Sequence, residues 1–267
     1  MGKKNGVTEP EKTVVATAEA ALPAEYAGTW GAGESTEASD ILLPKIFLMQ
    51  GMSDLVSAGD ARPGEFRDSI TGELLTDDKG NLDVAVFHSF KTWQIFKAVG
   101  GNKEFDRRED YTVENANAPY NWREGGVDYH RDKVFHFYCL LPSKIDDLPY
   151  VLSLSRTSTQ GAKQLATIFA KLRRMKQPSA AVVVTLTAVK QQNDKGTFYV
   201  VNAKQSRRST TAELAACRSW YDEIRASQTK YKVDEEDKPV DVTPPEVHAA
   251  AEVLGGTVSY DDDDIPF

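Results

Sequence analysis

Residues 150–191 read YVLSLSRTSTQGAKQLATIFAKLRRMKQPSAAVVVTLTAVKQ, and this stretch decides the fold class. Its two ends, 150–156 and 180–191, are rich in β-branched and apolar residues, which is typical of strands. Between them, apolar residues recur at the i, i+3, i+4 and i+7 spacing of one helix face, namely Leu165, Ile168, Phe169 and Leu172. The stretch therefore predicts a helix between two strands, with capping residues at 157–159 and a stop at Pro178.

Strand-like runs also lie on both sides of this stretch. Upstream, residues 82–97 (LDVAVFHSFKTWQIFK) and 133–141 (KVFHFYCLL) predict the first two strands. Downstream, a turn at 193–196 leads into a fifth strand over 197–204, and a closing helix is predicted over 210–226. Three strands, a helix and two strands is the order of an oligonucleotide/oligosaccharide-binding (OB) barrel. The sequence thus predicts a mainly β protein with helices, built on an OB-fold-like five-stranded β-barrel; another small α+β sheet is the alternative.

Composition divides the chain into three parts. Residues 1–40 are poor in large apolar side chains and predict a flexible N-terminal arm. Residues 41–230 carry the barrel, with an N-terminal elaboration of short strands and turns expected around Phe66 and Ile70. Residues 231–267 are acidic and contain prolines, which predicts a disordered tail.

The net charge of −8, from 32 Lys and Arg against 40 Asp and Glu, argues at first against a nucleic-acid-binding protein. The charges are unevenly distributed, however. Residues 1–40 carry −4 and residues 233–267 carry −10, whereas residues 41–232 sum to +6 and residues 151–232 alone reach +11. A basic body between acidic ends indicates binding to a polyanion.

Other classes of protein lack support in the sequence. Cys139 and Cys217 lie in apolar runs and are expected to be buried thiols rather than a disulfide. The N-terminus has no signal-peptide pattern, and no run approaches the ~20 apolar residues that cross a bilayer, so we expect a soluble, cytoplasmic protein. Neither a P-loop nor a G-x-S-x-G motif is present, and no metal pattern joins the cysteines to the histidines, His88, His130, His136 and His248. We therefore expect no enzymatic activity, cofactor or metal.

The last residues, 261–267, read DDDDIPF. An acidic run alone is usually a solvating tail, but this one ends in an apolar, proline-containing tip. It resembles the acidic tip of bacterial single-stranded DNA-binding proteins, which is a short Asp run followed by Ile-Pro-Phe. The resemblance covers only this tip. It implies that Phe267 fills a hydrophobic pocket on a partner protein and that the carboxylates of the tip meet Lys or Arg side chains around that pocket. Pro266 would limit the conformations that the tip loses on docking. The docking residues are then Asp261, Asp262, Asp263, Asp264, Ile265, Pro266 and Phe267.

Such a tip implies a body that binds single-stranded DNA, and the sequence of the body suits that role. Binding without sequence preference uses cations along a groove and aromatic faces for stacking. The polar stretch 100–132 is predicted to be a long excursion, with a hairpin as an open alternative. The candidate DNA-binding residues lie in the predicted strands, in this stretch and directly after the fifth strand: Lys91, Trp93, Lys97, Arg107, Arg108, Trp122, Arg123, Arg131, Arg156, Tyr199, Lys204, Arg207 and Arg208. Among them, Trp93, Trp122 and Tyr199 are the strongest candidates for stacking, with burial in the core as the alternative for any single aromatic.

The body is longer than the compact barrel of the bacterial family, which favours a divergent bacteriophage-type protein with a host-like tip, acting in the host cytoplasm. The expected function is non-catalytic, largely sequence-independent binding of single-stranded DNA in DNA replication, recombination or repair, with the tip recruiting replication and repair proteins. The alternative is an adaptor or decoy that engages host repair proteins without binding DNA. Strand annealing stays open, and self-association to a homo-oligomer would accompany cooperative coating of a strand.

Overall fold

Strands dominate the part of the chain that the computed structural model describes, residues 41–194 and 196–226. The predicted arm (1–40) and tail (231–267) lie outside these residues. In chain order the elements are β1 (Lys45–Leu48), α1 (Asp54–Ser57), β2 (Phe66–Asp68), β3 (Asn81–Val99), β4 (Asn102–Asp110), β5 (Asn121–Glu124), β6 (Val127–Leu140), β7 (Tyr150–Leu154), α2 (Thr159–Arg174), β8 (Val182–Asn193), β9 (Gly196–Arg208) and α3 (Thr211–Ala226).

The long strand β3 organises the sheet. Its residues 81–84 pair with β8, and residues 92–99 pair with β4 along the same edge. Its other edge pairs with β6 over residues 85–97. The register shifts next to Val86 and next to Ile95, and such bulges bend a strand and increase its twist.

The sheet runs in the order β2-β1-β7-β6-β3-β8-β9, with β4 paired to β3 and β5 paired to β6. All pairings are antiparallel except that of β1 with β7. The sheet curls into a half-barrel, so the prediction of a mainly β, barrel-like protein is confirmed. The described residues form nine strands rather than five, because the N-terminal elaboration and the polar stretch contribute strands of their own.

Helix α2 packs against the sheet and contributes to the larger hydrophobic core. The helix is confirmed where it was predicted, and Leu165 and Leu172 of its apolar stripe are buried. They belong to one cluster with residues of β3, β6 and β7 such as Val86 and Phe137. At Gly161 the helix approaches β9 so closely that a Cβ atom would lie 2.4 Å from the Val201 carbonyl oxygen.

Helix α3 covers a second core on the opposite side of β3 and β6, where Phe87 and Tyr138 pack with Cys217. Its N-terminus is a capping box: the Thr210 N–H donates to the Glu213 carboxylate at 2.7 Å, and the Glu213 N–H donates to the Thr210 hydroxyl at 3.2 Å. Cys139 is buried as well, and both thiols are unpaired, which confirms the prediction for the cysteines.

The outer edge of β9 is bonded by side-chain amides instead of a neighbouring strand. Gln50 accepts a hydrogen bond from the Tyr199 N–H at 2.9 Å and donates one to the Tyr199 carbonyl at 3.0 Å. Gln164 of α2 accepts from the Ala203 N–H at 2.8 Å. The segment after β1 therefore lies along the outer edge of β9.

The N-terminal elaboration is only partly as predicted. Short strands and turns are present as predicted, and they pack around Phe66, which is fully buried in β2, but not around Ile70, which is 56 % exposed. The reason is a tight turn in which the Asp68 carboxylate accepts the N–H groups of Ile70 and Thr71, at 2.6 and 2.9 Å. This turn places the Ile70 side chain in solvent.

The polar stretch 100–132 is largely strand rather than loop. Two Gly-Gly turns, at 100–101 and 125–126, have positive φ at both residues, which is the type I′ geometry of two-residue hairpins. They join β3 to β4 and β5 to β6. Strand β6 consequently begins at Val127, well before the predicted start at residue 133.

Candidate nucleic-acid interface

The outer halves of β3 and β6 form, with β4 and β5, what we call the distal sheet: β4, β5, residues 91–99 of β3 and 127–135 of β6. Directly opposed residues point to the same side of a sheet, and side chains alternate along each strand. The register therefore gathers a set of rings and cations on one side, the aromatic–cationic face, which consists of Lys91, Trp93, Lys97, Trp122, Tyr129, Arg131, Lys133 and Phe135.

Cations lie over rings at the centre of this face. The guanidinium of Arg131 is 4.3 Å from the Trp93 ring centroid and 5.8 Å from that of Trp122. The Lys133 ammonium is 5.2 Å from Trp93. These separations are those of cation–π interactions, which hold the charged groups in fixed positions above the sheet.

The same alternation continues toward the barrel. The Lys91 ammonium lies 5.3 Å from the Phe135 ring and 5.0 Å from the ring of Tyr111. The Lys133 ammonium lies 4.9 Å from the same Tyr111 ring. Tyr111 follows β4, so the segment 111–120 contributes to the face without being a strand.

Trp93 has no exposed surface, and this corrects the prediction that it stacks on a base. Tyr111 and Tyr120 lie against its ring, with centroids 5.4 and 5.6 Å away, and the cations cover the remaining side. Its indole N–H donates to Asn115 at 3.0 Å. In this arrangement Trp93 anchors the segment 111–120 and positions cations rather than meeting a base.

Arg131 is a buried charge with spare donors. It is only 5 % exposed, and its Nε and Nη2 atoms have no hydrogen-bond partner among the described residues. Ring faces supply its charge stabilisation, but they leave these N–H groups unbonded. A guanidinium in that state retains donor capacity for an oxyanion such as phosphate.

The two hairpins of the distal sheet separate at its end. Lys97 and Tyr129 are the last pair between β3 and β6, whereas each hairpin continues to its own Gly-Gly turn. A pocket of about 320 Å³, the fork pocket, lies between them. Its lining residues are Phe96, Lys97, Ala98, Lys103, Asn121, Trp122, Asp128, Tyr129 and His130.

Trp122 and Tyr129 form a parallel pair in this pocket. Their centroids are 5.2 Å apart and their planes differ by 11°, and both rings are partly exposed. His130 is fixed beside them by Asn121 at 2.7 Å and Asp132 at 3.0 Å. Trp122 is partly exposed whereas Trp93 is fully buried, so Trp122 remains a candidate for stacking on a base.

Predicted arginines on the distal sheet have acidic neighbours. Arg107 donates to Asp106 at 2.6 Å and to Glu109 at 2.9 Å, and the bond to Glu109 in particular raises the pKa of its guanidinium. Arg123 lies 3.6 Å from Asp128, with both side chains exposed. Exposed pairs of this kind contribute little to stability, so these arginines can exchange carboxylate for phosphate at low cost.

Two predicted residues lie on the reverse face of the distal sheet. Arg108 is paired with Gln94, whose side chain points away from the aromatic–cationic face because side chains alternate along β3. Arg156 donates to Asp132 at 2.5 Å and lies over the Phe96 ring at 5.1 Å. The structure therefore does not bring Arg108 or Arg156 together with the other candidates.

The basic residues of β9 are separated from β3 by β8. Arg207 makes two bonds to Glu213, at 2.9 and 2.6 Å, and Arg208 donates to Gln177 at 2.6 Å. Lys204 is exposed. The prediction that this run contacts phosphate stays a prediction, and for Arg207 it would compete with a structural ion pair.

Tyr199 also has a structural neighbour. Its ring lies against Gly64, where a Cβ atom would come within 2.7 Å of the ring, and its backbone bonds to Gln50. One side of the ring is thus covered by the N-terminal segment. Its stacking on DNA stays a prediction, and its contacts connect the N-terminal segment to β9.

A buried histidine on the reverse face is structural. The His136 nitrogens bond to the hydroxyls of Thr92 and Ser153, each at 2.9 Å, and Phe90 stacks on the ring at 4.6 Å. Burial lowers the pKa of His136 to about 3, so the imidazole is neutral at physiological pH. Within the described ranges, no group of three or more His, Cys, Asp or Glu residues is placed to hold a metal ion.

Sequence reasoning did not assign Tyr111, Tyr129, Lys133 and Phe135 to the DNA-binding set. The last three alternate with Arg131 at a spacing of two, which is the period of a strand face. The Gly-Gly pair before β4, at 100–101, and the Gly-Gly pair after β5, at 125–126, are the sequence signals that would have revealed these strands. Tyr111 carried no such pattern, because it reaches the face from a loop.

Most of the chain matches a known protein family. The model of the Pam3 phage gp34-like protein family matches residues 12–230. The chain belongs to this phage family. The matched range includes every described residue, with the aromatic–cationic face and the fork pocket, and ends before the acidic tip at 261–267.

Membership of the gp34-like family confirms the expectation of a bacteriophage protein at the level of the family. No curated protein and no solved structure matches the chain. Among the described residues, no helix is long and apolar enough to cross a membrane.

Proposed function

We propose that this gp34-like protein binds single-stranded DNA, largely without sequence preference and without catalysis. The observation that carries the proposal is the aromatic–cationic face, on which Lys91, Lys133 and Arg131 alternate with aromatic rings. Cations neutralise phosphates, and partly exposed rings provide stacking surfaces that accept any base. Both requirements are met on one side of one sheet.

We further infer that β3, β6, β7, β8 and β9 correspond to the five strands of an OB-type barrel. The pairings of β3 with β6 and β8, of β6 with β7 and of β8 with β9 support this, as does α2 between β7 and β8. In this interpretation Gln50 and Gln164 take the place of a strand pairing that would close the barrel at β9.

The proposed cellular role is phage DNA replication, recombination or repair. The acidic tip, Asp261 to Phe267, would recruit replication and repair proteins of the host, by its resemblance to bacterial tips. It lies outside the described residues, so this part of the proposal rests on the sequence.

Fluorescence anisotropy tests the proposal. The protein is titrated into labelled oligo-dT of about 30 nucleotides, which exceeds the ~4–16 nucleotides that one OB-type site occupies, and into duplex of equal length. We expect tighter binding to the single strand, weakening as salt rises. Equal affinity for the duplex, or no binding to either DNA, overturns the proposal. If the protein binds no DNA but captures repair proteins through its tip, the alternative function, an adaptor or decoy, is favoured instead.

A matched pair of variants locates the site. Replacing Lys91 and Lys133 by Gln is expected to reduce the slope of log affinity against log salt by about 0.7 for each phosphate that is no longer neutralised. Replacing the exposed Lys79 and Lys190, which lie away from the aromatic–cationic face, is expected to leave the slope unchanged. The same slope in both double variants would exclude this face as the DNA site.

A further inference from the structure

We propose that the fork pocket holds one nucleotide of a bound single strand, with the base on the Trp122–Tyr129 pair and the phosphate against Lys97 and Lys103. This inference rests on the proposed function and assigns it a specific subsite.

The shape of the pocket suits an unpaired base. The β3–β4 and β5–β6 hairpins bound it on two sides, because β3 and β6 are no longer paired beyond Lys97 and Tyr129. Its volume of about 320 Å³ is at the small end of the usual range for ligand sites, ~300–1,000 Å³. A base can enter such a fork edge first, whereas a base pair within a duplex is too wide and too rigidly stacked.

The aromatic pair provides the stacking surface. Trp122 and Tyr129 are parallel and support each other, so the exposed ring area is already oriented before a ligand arrives. Pre-organisation of this kind reduces the entropy cost of binding. Both ring nitrogens of His130 are already bonded, Nδ1 to Asn121 Oδ1 at 2.7 Å and Nε2 to Asp132 at 3.0 Å, so we expect stacking to contribute more than hydrogen bonds to base binding here.

Charge fixes the orientation of the nucleotide. Lys97 and Lys103 lie on the β3–β4 side, while Asp128 lies on the opposite hairpin beside Arg123. Lys103 makes no ion pair within the described part of the chain, and Lys97 has only a long contact, 4.0 Å, with Asp106. A phosphate therefore belongs on the lysine side, away from Asp128.

Arg131 gives an independent indication of an anionic ligand. Its guanidinium lies 5.8 Å from the Trp122 ring centroid, and its Nε and Nη2 atoms lack acceptors among the described residues although the side chain is almost fully buried. These donors lie on the same face of the distal sheet as Trp122 and Tyr129, so they favour an anionic ligand on that face.

The test compares binding of the full chain and its variants to oligo-dT. Trp122→Ala is expected to weaken binding by about 5- to 150-fold, the equivalent of the ~1–3 kcal/mol that one stacked base contributes. Trp122→Phe should restore most of the affinity. The matched control is Phe47→Ala, which removes a 43 %-exposed ring on β1 and should leave binding unchanged. Circular dichroism confirms that each variant is folded.

Two further measurements bear on the phosphate and on the position of the base. Lys103→Gln should lower the salt slope by about 0.7, the value for one neutralised phosphate of a single strand, whereas Lys79→Gln should not. Oligo-dT carrying 5-iododeoxyuridine should cross-link on irradiation to Trp122 or Tyr129. If the wild type binds oligo-dT but Trp122→Ala binds equally well and cross-links map elsewhere, the fork pocket is excluded while the proposed function stands. If the wild type binds no oligonucleotide, the proposed function itself fails.

Discussion

At the scale of single residues, Glu213 connects the stability of the fold to pH. Its carboxylate accepts hydrogen bonds from Arg207 and from the Thr210 N–H, and it is 6 % exposed. The bond from Arg207, followed by those of the cap, lowers the pKa of Glu213 to about 2. Because the folded pKa lies below the unfolded one, this interaction stabilises the fold fully above about pH 4.5 and is lost as pH falls toward 2.

We predict that Glu213→Gln lowers the free energy of unfolding at pH 7 by about 2 kcal/mol, allowing for the partial exposure of Arg207. Gln preserves the capping box, so the decrease reports the charge. Urea denaturation of the variant and the wild type at pH 7, 5 and 3 measures the difference. It should shrink between pH 5 and 3; a difference independent of pH would contradict the assigned ion pair.

The two tryptophans on the distal sheet show that a sequence alone does not reveal whether an aromatic ring is exposed or buried. Trp93 and Trp122 both stand beside basic residues in polar or amphipathic runs, and both were predicted to stack on DNA. Whether a ring is covered depends on chain segments far away in sequence, here the segment 111–120 that bonds Trp93 through Asn115. Residue type predicted the chemistry of the site but not which ring is open.

At the scale of elements, the packing of α2 on β9 at Gly161 leaves no space for a side chain. The neighbouring atom is a backbone oxygen, of Val201, which cannot rotate away as a side chain does. The helix would have to move off the sheet, and its apolar stripe would separate from the core.

We predict that Gly161→Ala destabilises the protein by about 1–3 kcal/mol, even though Ala favours a helix more than Gly does. Thermal unfolding followed by circular dichroism measures the destabilisation. Ala166→Gly is a control at an exposed position of the same helix, where only propensity changes and the cost is about 1 kcal/mol. An increase in melting temperature for Gly161→Ala would show that the close approach is wrong.

The barrel strands and both long helices were predictable because their hydrophobic periods are strong and bounded by turn residues. The distal sheet was anticipated only as a possible hairpin, because β4, β5 and the start of β6 are mostly polar and carry no regular alternation of apolar residues. Strands whose sequence lacks an apolar pattern have to be recognised from their turns, here Gly100-Gly101 and Gly125-Gly126. The candidate site lies in this region, which is why its composition was only partly predicted.

At the scale of the whole molecule, the distribution of charge predicts self-competition. Residues 233–267 carry −10, and the body between the acidic ends carries +6. A tethered polyanion competes with DNA for the same cations, and the competition weakens as salt shortens the range of electrostatic attraction, from ~10 Å at 0.1 M to ~3 Å at 1 M.

We predict that removing residues 233–267 tightens oligo-dT binding several-fold at low salt and that the gain disappears at high salt. Removing residues 1–40, which carry only −4, should produce a smaller gain. Anisotropy titrations of the three proteins over a salt series measure both effects. Unchanged affinity at low salt after removal of the tail would contradict the competition.

The glutamine bonds at the edge of β9 have a consequence for assembly. Gln50 and Tyr199 are far apart in sequence, and Gln50 blocks backbone groups that would otherwise be an open template for another strand. A chain shortened to begin at β3 would retain most of the sheet but would leave those groups bare. We expect such a chain to pair edge to edge with other molecules and to aggregate, because the segment after β1 protects the edge of the last strand.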